Sequence, residues 1–358
     1  MATINNNLTL QEATDLIRAI GPQGNVVIVR GEMGIGKTSI HKSLQKDYPN
    51  RPVAFFDIPN ISEGDLLMPY VFGPDGHKMT GFAPNAMFRF DQDEPPIIVW
   101  DEIGKGAEEV RRMVRRVWLE KAIGDFQLPA GTIQFATSNL AEEGMGDELM
   151  PHQANSLCQV EVRKPTAEEW TINWAMDAGV HPTILASLRE FPQMFSSFRD
   201  YDEPGINPYI YDPRKPVDRF VSPRSAAFAS QTLWGTEKLP LNIRTNAVAG
   251  YVGQRAAADI MAVDQLYVHL PRKEDIFTNP EKAKIPDSAA GVCMVVFRTI
   301  QDVQENKELT QAMKYVQRLK KEPQALFATT MFKTGKGQLA ADNKAFDQWA
   351  GDNLWLTN

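Results

Sequence analysis

Short runs of apolar, β-branched residues recur through the first half of the chain. A continuous apolar run of this length fits a strand that is buried on both faces of a parallel sheet. The runs lie at residues 25–30 (NVVIVR), 53–58 (VAFFDI), 97–102 (IIVWDE), 132–137 (TIQFAT) and 158–162 (CQVEV). The pattern therefore predicts five parallel strands.

Stretches with helical character separate most of these runs. One covers residues 37–47 and a second covers 105–121. The second repeats apolar residues at the spacing of one helix face, namely Val110, Met113, Val114, Val117 and Trp118. Alternating strands and helices predict an α/β fold around a parallel sheet. The segment 66–90 interrupts this alternation and predicts a β-hairpin with its turn at Pro74-Asp75-Gly76.

After residue 164 the strand signals fade. Residues 166–179 open with a capping-box pattern, Thr166 and Glu169, and close on Gly179, which predicts a helix. A long loop rich in Pro, Asp and Tyr is expected at 193–220, with helices from 221 onward. We predict an α/β nucleotide-binding domain at 1–164, a helical lid at 165–240 and a helical extension at 241–358.

Composition narrows the class of protein. With 358 residues, the chain is longer than a domain with a single hydrophobic core usually is, so two domains are expected. Its net charge of −7 weighs against general binding to a nucleic-acid backbone. Cys158 and Cys293 lie far apart and the first residues show no signal peptide, so we expect a reducing cytoplasm. No apolar run approaches the ~20 residues of a membrane span. The spacing of the histidines matches no metal-ligand pattern. They are His41, His77, His152, His181 and His269.

A phosphate-binding loop is predicted directly after the first strand. Residues 31–38, GEMGIGKT, match the pattern G-x-x-x-x-G-K-[ST]. Glycines let backbone N–H groups surround phosphate oxygens, Lys37 reaches the β- and γ-phosphates, and the helix after Thr38 directs its N-terminus at the anion. A glycine-rich turn with a solvated lysine is the alternative, and the flanking strand and helix disfavour it. The expected nucleotide-binding residues are Gly31, Glu32, Met33, Gly34, Ile35, Gly36, Lys37, Thr38 and Ser39.

A second acidic motif supports this prediction. Asp101 and Glu102 end the third apolar run, where α/β sheets place their ligands. Asp101 can hold Mg²⁺ together with the Thr38 hydroxyl, and Glu102 can polarise the attacking water as a general base. The expected cofactors are therefore ATP and Mg²⁺.

With both motifs and the fourth strand, the sequence resembles the AAA+ P-loop ATPases, and within them the MoxR-like branch of phage and bacteria. The resemblance covers roughly residues 8–235. It places Asn139, in TIQFATSN, at the sensor-1 position, and Arg224, in SPRSA, at the sensor-2 position of the lid. The hairpin at 66–90 lies where that branch carries its helix-2 insert.

The resemblance also implies how the protein would act. It implies a cytoplasmic, chaperone-like ATPase that assembles into a ring, a hexamer, and remodels a partner protein. Such proteins typically act with a partner that carries a von Willebrand A domain. This sequence has no D-x-S-x-S motif of that domain, so the partner would be another chain. Nucleic acid and membrane are not expected as partners.

One position departs from the family pattern. The stretch MPHQANSLCQVEV has Ser156 and Leu157 after Asn155, where the branch usually carries an arginine finger. Either our alignment is shifted by a few residues, or an arginine in the stretch after Asp101 substitutes for the finger, or hydrolysis is slow. The arginines in question are Arg111, Arg112, Arg115 and Arg116. The alternative is that these arginines form a solvated helix face, partly neutralised by Glu108 and Glu109 at helical spacing.

Slow hydrolysis would make the protein a nucleotide-gated binding module with little turnover. A DNA-linked AAA+ motor is a third reading, and the acidic balance of the chain weighs against it.

Overall fold

A computed structural model describes residues 7–74, 77–143 and 157–353 of the chain. The chain divides into two compact units, Met1–Lys164 and Pro165–Asn358. The predicted turn residues Asp75 and Gly76, and the arginine-finger position Ser156, lie outside the described residues.

Six parallel strands form the central sheet of the first unit. Five correspond to the predicted runs, and the prediction of five strands was wrong by one. The extra edge strand is two residues long and pairs with Glu161 and Val162, so it leaves no apolar run in the sequence. In their order across the sheet, the six strands are β1 (Asn7–Leu8), β10 (Cys158–Val162), β2 (Val27–Arg30), β9 (Ile133–Ser138), β6 (Ile97–Asp101) and β3 (Val53–Asp57).

Helices cover both faces of this sheet. Alternate residues along each strand enter two separate apolar clusters, so Val27 and Val29 pack on one side and Ile28 on the other. Helices α1 (Leu10–Ile20) and α2 (Ile40–Asp47) supply side chains to the first cluster, and α3 (Glu108–Glu120) supplies them to the second. Burial on both faces is the reason that the strands read as continuous apolar runs.

Two antiparallel hairpins extend from this core. The larger pairs β4 (Leu67–Phe72) with β5 (Met79–Pro84), inside the segment 66–90. The smaller pairs β7 (Ala122–Ile123) with β8 (Phe126–Gln127) directly after α3. The larger hairpin exposes apolar side chains, with Val71 66%, Met68 55% and Met79 55% accessible.

The second unit is helical throughout its described elements. Its first helix carries the capping box of Thr166 and Glu169, and a π-helical turn follows at Thr171–Ala175. The helices are α4 (Ala167–Trp170), α5 (Pro182–Glu190), α6 (Pro223–Thr236), α7 (Leu241–Val252), α8 (Gln254–Asp264), α9 (Lys273–Thr278), α10 (Ala289–Asp302), α11 (Asn306–Val316), α12 (Lys321–Lys333), α13 (Gly337–Ala341) and α14 (Lys344–Asp352). Within the described ranges, no helix combines the length and apolar character that crossing a bilayer requires.

The predicted fold class is confirmed. Among the described residues, an α/β core around a parallel sheet is followed by a helical region. The carboxyl ends of β2, β6 and β9, which are neighbours in the sheet, bring the polar residues that follow them to one edge.

Candidate nucleotide-binding site

The loop between β2 and α2 has the backbone of a phosphate cradle. Gly34 and Gly36 have φ of 71° and 107°, in the left-handed region that glycine adopts without strain. A Cβ atom at Gly31 would lie 2.7 Å from the Val162 carbonyl oxygen, so this position also requires glycine. After the loop, Lys37–Ser39 form one 3₁₀ turn that leads into α2.

Lys37 is buried beneath this loop, with 7% of its surface accessible. Its ammonium donates to the carbonyl oxygens of Gly31 at 2.7 Å and Glu32 at 2.8 Å. It also donates to Oδ1 of Asn139 at 2.9 Å. Asn139 follows β9, so one lysine connects the loop to the tip of the neighbouring strand.

The two residues predicted to hold a metal lie in contact. The Thr38 hydroxyl donates to Oδ1 of Asp101 at 2.9 Å. The same carboxylate oxygen accepts a hydrogen bond from the Thr137 hydroxyl at 2.6 Å. Thr137 is 1% accessible, and its hydroxyl oxygen also accepts from the Glu102 backbone N–H at 3.0 Å. One hydroxyl therefore orients both acidic residues.

Glu102 itself has an unusual backbone and a cationic partner. Its φ is 54°, a left-handed conformation that is rare outside glycine. Oε2 of its carboxylate lies 2.6 Å from Nζ of Lys105, and 31% of its side chain is accessible. In this arrangement the predicted general base is held by a lysine three residues later.

A further carboxylate lies against the phosphate loop. Oε1 of Glu143 accepts from the Met33 backbone N–H at 3.1 Å, and the residue is 5% accessible. Burial raises the pKa of Glu143, against the lowering effects of the Met33 N–H and the Lys37 ammonium. Sequence reasoning missed Thr137 and Glu143, because no short motif marks either position.

The residues present fit a bound polyphosphate and a divalent cation. The glycines leave no Cβ in the cradle, and Lys37 supplies a buried positive charge beside it. A threonine hydroxyl and one carboxylate are oxygen ligands of the kind that Mg²⁺ uses together with substrate phosphates and water. Among the described residues, no group of three or more His, Cys, Asp or Glu side chains could hold a metal ion.

One predicted residue lies in the second unit. Arg224 lies in the second unit, exposed in the first turn of α6, whose N-terminus Ser222 caps. Its role as sensor 2 stays a prediction.

The arginines of α3 make contacts along their own helix. Arg112 lies 3.8 Å from Glu108 and 3.5 Å from Glu109, and Arg116 lies 2.8 Å from Glu120. Nε of Arg115 donates to the Arg111 carbonyl oxygen at 3.2 Å. The carboxylate partners of Arg112 and Arg116 favour the reading of these two residues as a solvated helix face.

Comparison with known sequences gives short, distant matches. No family model matches the chain. The chain is similar to the Nif-specific regulatory protein of Rhizobium meliloti (strain 1021), at 28% identity over 131 residues, which is 36% of this chain and 24% of that protein. The protein of that name from Klebsiella pneumoniae is 26% identical over 135 residues. The chain thus spans about a quarter of the length of the curated relatives it matches.

Comparison with solved structures gives matches of low score. NtrX from Brucella abortus in complex with ATP aligns with 98% of this chain and 69% of its own, at 12% identity and a TM-score of 0.36. A mutant of RuvB from Thermotoga maritima aligns with 96% of this chain and 87% of its own, at 12% identity and a TM-score of 0.34. Similarity at this level assigns neither a family nor an activity, so the function rests on the site itself.

Proposed function

We propose that this chain is an AAA+ ATPase that binds Mg-ATP at the loop 31–38 and hydrolyses it. One observation carries the proposal. The buried Lys37 donates to Asn139 and the next residue, Thr38, donates to Asp101, so these side chains form one polar group at the carboxyl ends of β2, β6 and β9. Such a group places a cation, a metal-binding pair and a polar amide around one glycine-rich cradle.

Each side chain has a role that its chemistry supports. Lys37 and the backbone N–H groups of the loop bind the phosphates, and Thr38 with Asp101 would hold Mg²⁺, which neutralises phosphate charge when bound. Glu102 would accept the proton of the attacking water, and Asn139 would position that water. Arg224 would approach the γ-phosphate from the lid.

The proposal extends to assembly. We infer a ring-forming, MoxR-like protein, expected to be a hexamer in the cytoplasm, that remodels a partner protein. The free thiols of Cys158 and Cys293 fit a reducing compartment. The exposed apolar side chains of the hairpin β4–β5 make it the candidate surface for the client.

A nucleotide-gated binding module with little turnover is the second candidate. The ion pair between Glu102 and Lys105, 2.6 Å long, favours it because a carboxylate held by an ammonium is less available as a base. The sequence Asn155-Ser156-Leu157 also lacks the arginine that the branch usually supplies to a neighbouring site. Without that cation the transition-state charge is less stabilised.

Steady-state ATP hydrolysis, measured per protomer against protein concentration, distinguishes these candidates. If a neighbouring subunit completes the site, the rate per protomer rises with concentration, and Lys37→Ala stays at background throughout. If nucleotide binds and the rate remains at the Lys37→Ala background, the protein acts as a gated binder. A Lys37→Ala rate equal to that of wild type would exclude this loop as the hydrolytic site.

Substitution of Thr137 tests whether its hydroxyl positions the two acidic residues. In Thr137→Val the hydrogen bonds to Asp101 and Glu102 are lost while the volume is kept, and we expect turnover to fall about tenfold with a higher Mg²⁺ requirement. Thr137→Ser restores both bonds and should recover most of the rate. Thr132→Val is the matched control, since this buried hydroxyl directly before β9 donates to Pro129 O, at 2.7 Å. Unchanged Mg²⁺ dependence in Thr137→Val would exclude a positioning role.

A further inference from the structure

The loop 31–38, proposed to bind phosphate, already contacts a carboxylate of the protein itself. Glu143 follows the tip of β9 and reaches the Met33 N–H, the amide of the third residue of the loop 31–38. Backbone N–H groups of such loops are the ligands of nucleotide phosphates. The side chain therefore occupies a donor that a polyphosphate would use.

Within the described residues, one oxygen of this carboxylate lacks a hydrogen-bond partner. Oε1 of Glu143 accepts from the Met33 N–H, and the Leu140 backbone also lowers the pKa of this carboxyl, while the buried Oε2 has no hydrogen-bond partner in residues 7–74, 77–143 and 157–353. A buried carboxylate oxygen without a partner destabilises the arrangement that contains it. The raised pKa of Glu143 has the same physical origin, since burial disfavours its charged form.

The local charge balance points in the same direction. Glu32 is also largely buried, and its carboxylate raises the pKa of Glu143, while the Lys37 ammonium lowers it. Two carboxylates and one ammonium thus share the region of the loop. An incoming polyphosphate would compete with Glu143 for the Met33 N–H and for the attraction of Lys37, and would be repelled by the carboxylate if it stayed in place.

We propose that Glu143 is an internal anionic ligand of the phosphate loop, which holds the Met33 amide in the nucleotide-free protein and is displaced when the polyphosphate of a nucleotide binds. This inference rests on the proposed function, because it requires nucleotide at the loop 31–38. Its consequence is that Glu143 weakens nucleotide affinity and couples nucleotide binding to movement of the turn Ala141–Glu143.

The test is the affinity for ATP of Glu143→Gln. This variant keeps an oxygen acceptor for the Met33 N–H and removes the charge. Binding is measured by calorimetry with Mg-ATP in a Glu102→Gln background, so that hydrolysis does not disturb the titration. We expect the dissociation constant to fall about tenfold, the size of one charge-assisted hydrogen bond. Glu142→Gln, which removes the same charge from the exposed neighbour on the same turn, should leave it within about twofold.

A kinetic measurement separates this role from a catalytic one. With Glu102 intact, Glu143→Gln should lower KM for ATP and leave kcat within about twofold, because the proposed contact exists only before nucleotide binds. Melting midpoints without nucleotide verify that the variants are folded. An unchanged or weaker affinity, or a large fall in kcat, would overturn the inference and leave the proposed ATPase function standing. If the parent protein binds no nucleotide, the proposed function fails and this inference fails with it.

Discussion

Replacing Glu102 with glutamine is expected to lower the rate of ATP hydrolysis by a factor of about 10² to 10⁴ while nucleotide binding persists. A glutamine amide has the shape of the carboxylate but cannot accept a proton from the attacking water. The groups proposed to bind phosphate and metal, which include Lys37, Thr38 and Asp101, are unchanged by the substitution. The measurement pairs single-turnover hydrolysis with calorimetric binding of Mg-ATP.

The matched control for this prediction is Glu94→Gln. Glu94 is an exposed carboxylate in the loop before β6, at the opposite end of the strand from Glu102. Its substitution removes the same charge and should leave the rate unchanged. A Glu102→Gln variant with the rate of wild type would show that another group takes the proton, and the proposed role of Glu102 would be wrong.

Acidification is expected to destabilise the second unit through His181. This histidine is fully buried, and its ring lies 4.2 Å from the ring of Trp234 and 4.7 Å from that of Tyr267. Nδ1 accepts from the Thr183 N–H at 3.2 Å, so the neutral ring caps the N-terminus of α5. Burial, together with the positive charge of Arg244, lowers the pKa of His181 from 6.5 to about 3.

The sign of the effect follows from this shift. The unfolded chain binds the proton below pH 6.5, whereas the folded chain resists it until about pH 3. Stability from the neutral ring is therefore fully present above pH 6.5 and is lost as the pH falls, by about 1.4 kcal/mol per pH unit. Between pH 7.5 and pH 5 the free energy of unfolding should fall by about 2 kcal/mol from this group alone.

His181→Asn isolates this contribution. Asparagine caps helices but does not titrate, so the variant should lose most of the pH dependence of the melting midpoint, whatever its overall stability. Asp264, whose pKa burial raises, acts with the opposite sign but is present in both proteins, so the comparison of slopes removes its contribution. His269→Asn, at an exposed position, should keep the slope of wild type. Equal slopes in wild type and His181→Asn would exclude a buried neutral histidine.

Much of the candidate site was predictable because its signals are local. The glycine spacing of residues 31–38 is dictated by how closely a backbone must curl around phosphate, so it is readable in eight consecutive residues. Apolar runs marked the strands, and Asp101, Glu102 and Asn139 directly follow or end two of them. The parallel sheet then brings these strand ends to one edge, as expected for an α/β fold.

The edge of the sheet was not predictable in the same way. Strand β1 has two residues, one of them Asn7, and its pairing with β10 is made by backbone groups that any sequence carries. Hydrophobic periodicity needs more residues than this to give a signal. The predicted count of five strands was therefore one too few.

The sequence by itself determined the α/β class of the first unit, and it singled out the candidate phosphate loop and the acidic residues Asp101 and Glu102, because each depends on spacing along the chain. Only the tertiary structure showed that Thr137 bridges Asp101 and Glu102, and that Glu143 reaches Met33 across 110 positions of sequence. A hydrogen bond of about 3 Å depends on where side chains meet in space. For partners so far apart in sequence, that meeting is decided by the packing of the whole unit.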